Sequence, residues 1–97
     1  MFGYGQAVME EVVIEDGRVI SANLGEYKLP TAADVPPIRL HLETSSPGPG
    51  PYGAKSVGEL ANPAVGAAIA NAVADACGAR VTSEPITSEK VYAALRA

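Results

Sequence analysis

The sequence predicts an α+β fold, in which a small mixed sheet carries a β-hairpin and is packed by two or three helices. Two observations indicate this class. Two β-prone runs flank a turn dipeptide in the first quarter of the chain, and helical patterns fill the last third. The predicted order is helix, hairpin, loop, strand, loop, helix, strand, helix, which is typical of α+β domains.

The first quarter is expected to hold a short helix and a hairpin. Residues 1–11 have helical character up to Glu10 and Glu11, although the glycines among them weaken a helix. The runs 12–15 and 18–22 are β-prone, and Asp16-Gly17 between them tolerates positive φ at both positions. The hairpin is therefore predicted from local turn chemistry.

The next part is expected to be a loop followed by a strand. Residues 26–37 contain three prolines, which cannot donate the hydrogen bonds of a central strand, so an extended, packed loop is predicted. Apolar and polar residues then alternate over residues 38–42, the period-two pattern of a strand with one buried face. His41 falls on the polar face and has no second histidine in the chain, so no metal role is assigned to it and no metal ligand is predicted.

The second half begins with a loop and continues with two helices. Residues 44–55 contain three glycines and three prolines, which favour a long loop. A helix is predicted from an Asn62 cap to about Cys77, with Gly78 as its stop. A short strand at residues 80–82 and a last helix capped by Thr87 complete the pattern.

Size and charge restrict the possible partners. A chain of 97 residues makes one domain with a thin core, so a protein partner is plausible from length alone. The net charge of −4 provides no basic stripe for nucleic acid or for an anionic membrane surface. We find no targeting segment and no apolar run of about 18 residues, and we therefore expect a cytoplasmic protein that binds neither.

One segment has a composition suited to binding chemistry. Residues 52–59 place small residues ahead of a single carboxylate, Glu59, three positions before the predicted helix cap. Small side chains let backbone amides approach an anionic ligand closely, and Lys55 could add a cation. A carboxylate near a helix start is also commonly stabilised there by the helix dipole alone, so spacing leaves both interpretations open.

Several motifs, taken together, carry a family resemblance. They occur in order over residues 3–11, 16–19, 27–36, 53–59, 70–78 and 85–91. With these motifs the chain resembles the C-terminal part of the molybdopterin-binding subunit of molybdenum hydroxylases, the family of xanthine dehydrogenase and aldehyde oxidase. The resemblance implies that residues 1–97 are a single domain, the C-terminal portion of a molybdopterin-binding domain.

The resemblance also implies a function for the segment around Glu59. In that family the last glutamate of the Lys-x-Val-Gly-Glu motif is the general base, which corresponds to Glu59. The backbone of Lys55, Ser56, Val57 and Gly58, and that of Gly3 and Gly5, is expected near the cofactor. The implied activity is oxidation of an aldehyde or N-heterocycle carbon with oxygen taken from water.

The implied assembly is larger than this chain. The molybdopterin cofactor would be shared with an upstream domain or a partner chain, and none is expected in the isolated chain. The implied partner is the remainder of the molybdopterin-binding subunit, and iron–sulfur and flavin subunits are further candidates. The isolated chain is not expected to be active.

An alternative interpretation belongs to a different functional class. Phe2 and Ser56 stand where family members commonly carry glutamine and glycine, and the upstream domains are missing. The chain could therefore be a non-catalytic assembly or structural module that keeps the fold without cofactor. The sequence does not identify the substrate or the oligomeric state, and it does not distinguish a natural small subunit from a truncated chain.

Overall fold

A computed structural model describes residues 1–44 and 46–97 and has an α+β architecture, as predicted. The helices are α1 (Phe2–Val8), α2 (Leu24–Tyr27), α3 (Asn62–Cys77) and α4 (Ser88–Ala94), and the strands are β1 (Ile14–Glu15) and β2 (Arg18–Val19). Short 3₁₀ turns occur at Ala32–Asp34, Pro51–Gly53 and Glu59–Ala61. Ser45, in the predicted long loop, lies outside the described residues.

The hairpin confirms the prediction from turn chemistry. β1 and β2 pair antiparallel, with Ile14 opposite Val19. Asp16 and Gly17 have φ values of 49° and 76°, the positive values that a two-residue type I′ turn requires. Among the described residues this pair is the whole sheet, so the predicted mixed sheet is in fact antiparallel and two-stranded.

Two predicted strands are absent from the described residues. Residues 38–42 and 80–82 form no ladder. Residues 81–86 instead lie along α3, where they line a small cavity with Gly66, Ala67 and Ala70. Residues 38–42 have no regular secondary structure and make no backbone hydrogen bond within the described residues. The alternating pattern alone was therefore insufficient for strand formation in this chain.

The predicted loop at residues 26–37 is only partly extended. Its first residues belong to α2, whose N-cap is Asn23; the Asn23 side chain accepts hydrogen bonds from the Gly25 and Glu26 amides, both at 3.0 Å. Lys28 ends this helix with left-handed backbone, at φ 62°. The prediction missed α2 because it was based on the three prolines that follow this helix.

The packed part of the molecule is built by the helices at the two ends of the chain. We call α1, α3, α4 and residues 79–87 the helical unit. α1 packs against α3, and the Ile86 amide donates a 2.6 Å hydrogen bond to the Ala7 carbonyl. Among the residues whose burial is described, Ala7, Ala79 and Ile86 are the buried hydrophobic ones, so the core is very thin.

Helix boundaries follow the predicted local signals at two of four positions. α3 ends at Gly78, which has φ +80°, and α4 is capped by Thr87, whose hydroxyl accepts from the Lys90 amide at 3.3 Å. α1 is shorter than predicted and ends at Val8. The predicted cap Asn62 already has helical backbone, φ −54° and ψ −49°, because the helical winding starts earlier, in the 3₁₀ turn at Glu59.

Candidate functional site

Glu59 lies at the first position of the turn that leads into α3. The preceding Gly58 has φ 98° and ψ −112°, a backbone conformation open to glycine but not to side chains with a Cβ. This bend redirects the chain from the extended residues 54–57 into helical winding. The Glu59 side chain is exposed and makes no hydrogen bond to any residue that the structure describes.

The run before Glu59 has an open backbone. The amides of Lys55, Ser56, Val57 and Gly58 make no hydrogen bond within the described residues, and the Val57 side chain is 95% exposed. No atom lies within 4 Å of the position that a Cβ on Gly58 would take. Consecutive free amides beside open space can bind an anionic group.

Lys55 connects this run to the segment before the long loop. Its ammonium group donates a hydrogen bond of 3.3 Å to the Glu43 carbonyl. The side chain is exposed, so its charge remains accessible to a ligand. Lys55 therefore has a structural contact as well as the cationic role suggested by the sequence.

The predicted cofactor-binding glycines Gly3 and Gly5 are buried inside the chain's own packing. A Cβ on Gly3 would lie 2.8 Å from Val65 Cβ, and one on Gly5 would lie 2.7 Å from Pro30 Cγ. Their lack of a side chain is therefore explained by close contact with α3 and with the loop after α2. Cofactor binding by their backbone stays a prediction.

Two polar cavities lie where α1 meets the start of α3. One, of about 340 Å³, is lined by Gly3, Gln6, Asn62, Pro63, Gly66 and Glu84. The other, also about 340 Å³, is lined by Phe2, Gln6, Glu10, Val12, Tyr27 and Asn62. Glu59 lines neither cavity, although the structure brings Gly3 together with the helix start that follows Glu59.

Gln6 and Asn62 line both cavities, and the sequence analysis assigned neither to a site. The sequence analysis interpreted Asn62 as a helix cap. In the second cavity the Tyr27 hydroxyl donates a 2.8 Å hydrogen bond to the Glu10 carboxylate, and this bond raises the pKa of the Tyr27 phenol. Tyr27 therefore remains a protonated donor that fixes the position of Glu10.

We call residues 55–58 the open run, and its free amides can bind an anionic group. Free amides, an accessible lysine and a glycine bend with empty space beside it would supply backbone donors without steric obstruction. The run lies on the surface, where a ligand can reach it. The described residues contain no helix that is long and apolar enough to cross a membrane.

Comparison with known proteins agrees with the family resemblance. Residues 1–36 match the family described as the molybdopterin cofactor-binding domain. The chain is 41% identical over 92 residues to the molybdenum-binding subunit of aldehyde oxidoreductase from Escherichia coli. It is 36% identical over 94 residues to the gamma subunit of the 6-hydroxypseudooxynicotine dehydrogenase complex from Paenarthrobacter nicotinovorans.

A third similar protein is a putative xanthine dehydrogenase molybdenum-binding subunit from E. coli, 37% identical over 92 residues. These matches cover 92% to 93% of this chain but only 12% to 13% of each relative. The chain thus spans about an eighth of the length of the curated relatives that it matches. Over nearly its whole length, the chain is similar to the molybdenum-binding subunits of aldehyde oxidoreductase and xanthine dehydrogenase.

Proposed function

We propose that this chain forms the C-terminal part of the molybdopterin-binding domain of a molybdenum hydroxylase, with Glu59 as general base. One observation carries the proposal: an exposed carboxylate without a hydrogen-bond partner in the described structure follows directly on a glycine bend and a run of free backbone amides. The match to a molybdopterin cofactor-binding family supports the identity of the cofactor.

Two sets of residues would contact the cofactor. The amides of Lys55, Ser56, Val57 and Gly58 are accessible and unpaired within the described residues, so they can donate to its anionic groups. Gly3 and Gly5 would contribute backbone only, from the side of the α1–α3 contact. The bound cofactor would supply the redox chemistry by which a substrate carbon gains oxygen derived from water.

The role of Glu59 in the reaction is proton transfer. An ionised carboxylate within hydrogen-bond reach of the attacking hydroxyl can accept its proton, which makes the oxygen a better nucleophile. The carbon attacked would be that of an aldehyde or an N-heterocycle. Because no described residue engages the Glu59 carboxylate, its acceptor oxygens are free for this task.

The enzyme would be completed by other polypeptide parts. The free amides lie on an open surface, so the remainder of the molybdenum-binding subunit would enclose the cofactor and provide the substrate pocket. Iron–sulfur and flavin subunits would act as electron acceptors. One relative is by name a subunit of a dehydrogenase complex, which supports an assembly of several subunits.

The proposal can be tested in a hybrid enzyme. We define the hybrid as the E. coli aldehyde oxidoreductase subunit in which this 97-residue chain replaces the 92 matching residues, purified with its natural partner subunits. Loss of a general base typically costs about 10²- to 10⁴-fold in rate. The Glu59→Gln hybrid should therefore lose at least about 100-fold in turnover of an aromatic aldehyde, while its molybdenum and pterin contents stay unchanged.

The Glu26→Gln hybrid is the matched control, because Glu26 is an exposed carboxylate in α2, away from the open run. It should turn over at the rate of the unmodified hybrid. Normal turnover by the Glu59→Gln hybrid would refute the role of Glu59. A soluble hybrid that contains no molybdenum would instead support the alternative, a cofactor-free structural module.

A further inference from the structure

Residues 38–42 form an exposed apolar strip with the periodicity of a β-strand. Ile38, Leu40 and Leu42 alternate with Arg39 and His41, and the three apolar side chains are 58%, 86% and 81% exposed. A folded domain rarely leaves a row of large apolar side chains in water unless another surface covers it. We call these five residues the apolar strip.

The backbone of the apolar strip is as unpaired as its side chains. Within residues 1–44 and 46–97, no amide or carbonyl of the strip makes a hydrogen bond with another backbone group. The strip is not part of any helix, turn or ladder. Extended backbone with free donors and acceptors on both sides is what an added strand provides to a sheet edge.

Within the described residues, neither the sheet nor the core covers this strip. The hairpin has two residues in each strand, and the buried hydrophobic residues all belong to the helical unit. The radius of gyration is 16.9 Å, against about 13 Å for a compact domain of 100 residues. The described chain is thus less compact than a typical domain of its size.

We propose that the apolar strip adds as a strand to the edge of a sheet in the remainder of the molybdenum-binding subunit. This inference rests on the proposed function, since it takes that polypeptide as the partner. The relatives are about eight times longer than this chain, so a large polypeptide is available to provide the edge. A second copy of this chain would instead bring together two molecules that each carry a charge of −4.

The added strand would also position the candidate site. The Glu43 carbonyl, directly after the apolar strip, accepts the hydrogen bond from Lys55, which begins the open run before Glu59. A strand fixed in a sheet would hold this carbonyl in place and so limit the movement of Lys55. The same docking event would cover the exposed leucines and bring the open run against the larger polypeptide.

Amide hydrogen exchange tests this proposal residue by residue. In the isolated chain all five amides of the strip should exchange at the rate of unstructured peptide. In the hybrid, alternate amides should be slowed by about 100-fold or more, because only every second N–H of an edge strand points to its neighbour. Unprotected amides in a folded hybrid would overturn the proposal, and this outcome is separate from loss of turnover in the Glu59→Gln hybrid.

Two variants identify the face that docks. Leu40→Asp should abolish the protection or prevent the hybrid from accumulating, whereas His41→Asp, on the polar face, should change neither. Equal behaviour of the two variants would count against an apolar contact. If the amides are protected in the isolated chain in a concentration-dependent way, the occupant is a second copy and the proposal is wrong.

The hybrid itself could fail to accumulate even without these substitutions. The full chain is then coexpressed with the E. coli subunit shortened by the matching 92 residues, and exchange is measured on the copurified complex. Failure of the two polypeptides to copurify would also overturn the proposal. Copurification that survives Leu40→Asp without loss would place the contact elsewhere.

Discussion

The helical unit and the middle segment, residues 35–58, differ in how far their apolar side chains are exposed. Ala7 and Ile86 in the helical unit are 0% and 8% exposed, whereas Leu40 and Val57 in the middle segment are 86% and 95% exposed. Apolar residues in both regions carry the same tendency to leave water. The difference shows that, among the described residues, this chain buries apolar side chains only within the helical unit, although Phe2 and Tyr92 of that unit are also 72% and 57% exposed.

The largest expected effect distinguishes these two regions directly. Ile86→Ala removes side-chain volume from the thin core and should destabilise the isolated chain by about 2–5 kcal/mol. Leu40→Ala removes a similar volume from water and should change the unfolding free energy by less than about 0.5 kcal/mol. Urea titrations followed by circular dichroism measure both values, and comparable losses would show that the middle segment packs internally.

A second prediction concerns the contact between α1 and α3. A Cβ on Gly3 would lie 2.8 Å and 2.9 Å from two carbons of Val65, so one of the helices must shift. Overpacking of this kind costs about 1–3 kcal/mol, and the gain in helix propensity offsets up to about 1 kcal/mol of it. Gly3→Ala should therefore lower the free energy of unfolding by about 1 kcal/mol.

The partner residue supplies the control for this contact. Gly3→Ala combined with Val65→Ala should be less destabilising than the sum of the two single changes, because the shortened side chain makes room for the new methyl group. Gly25→Ala, in the exposed α2, should stay within about 0.5 kcal/mol of the parent. Additive effects at residues 3 and 65 would remove the packing explanation for Gly3.

Features set by neighbouring residues could be predicted from the sequence. The positive φ values of Asp16-Gly17, the stop at Gly78 and the cap at Thr87 are all local, and the structure confirms each. The strand at residues 38–42 could not be predicted correctly, because a strand requires a partner at a distance. The alternating pattern indicates a tendency to form a strand, but residues 38–42 have no strand partner among the described residues.

The assignment of the candidate site came from the family resemblance and stays a prediction. Glu59 was identified by the order of motifs around it, because a single carboxylate before a helix has no specific spacing. The structure adds the bend at Gly58 and the free amides before it. Gln6 and Asn62 were missed because they meet only when α1 packs against α3, and nothing in their local sequence indicates that contact.

The smallest expected effect concerns the 3₁₀ turn Ala32–Asp34, which directly precedes the middle segment. The Asp34 carboxylate accepts hydrogen bonds from the Thr31 hydroxyl at 2.7 Å and from the Thr31 amide at 2.8 Å, and these bonds lower the pKa of Asp34. Folding of this turn therefore favours the ionised carboxylate. Its contribution is complete above the pKa of the unfolded chain, about 3.9, and is lost as the pH falls through the lower pKa of the folded turn.

The Thr31→Ala variant tests this assignment without removing the carboxylate. It deletes the hydroxyl, the larger of the two causes, and keeps the amide, so the pKa of Asp34 should rise part of the way to its ordinary value. Carbon-detected NMR titration of the carboxyl measures the change, and Thr82→Ala, an exposed threonine beyond α3, should leave it unaltered. An unchanged pKa of Asp34 in Thr31→Ala would mean that the hydrogen bonds from Thr31 to the Asp34 carboxylate do not form in solution. The middle segment would then have no fixed junction with the rest of the fold. The last fixed element before it would be α2, which ends at its C-cap Lys28.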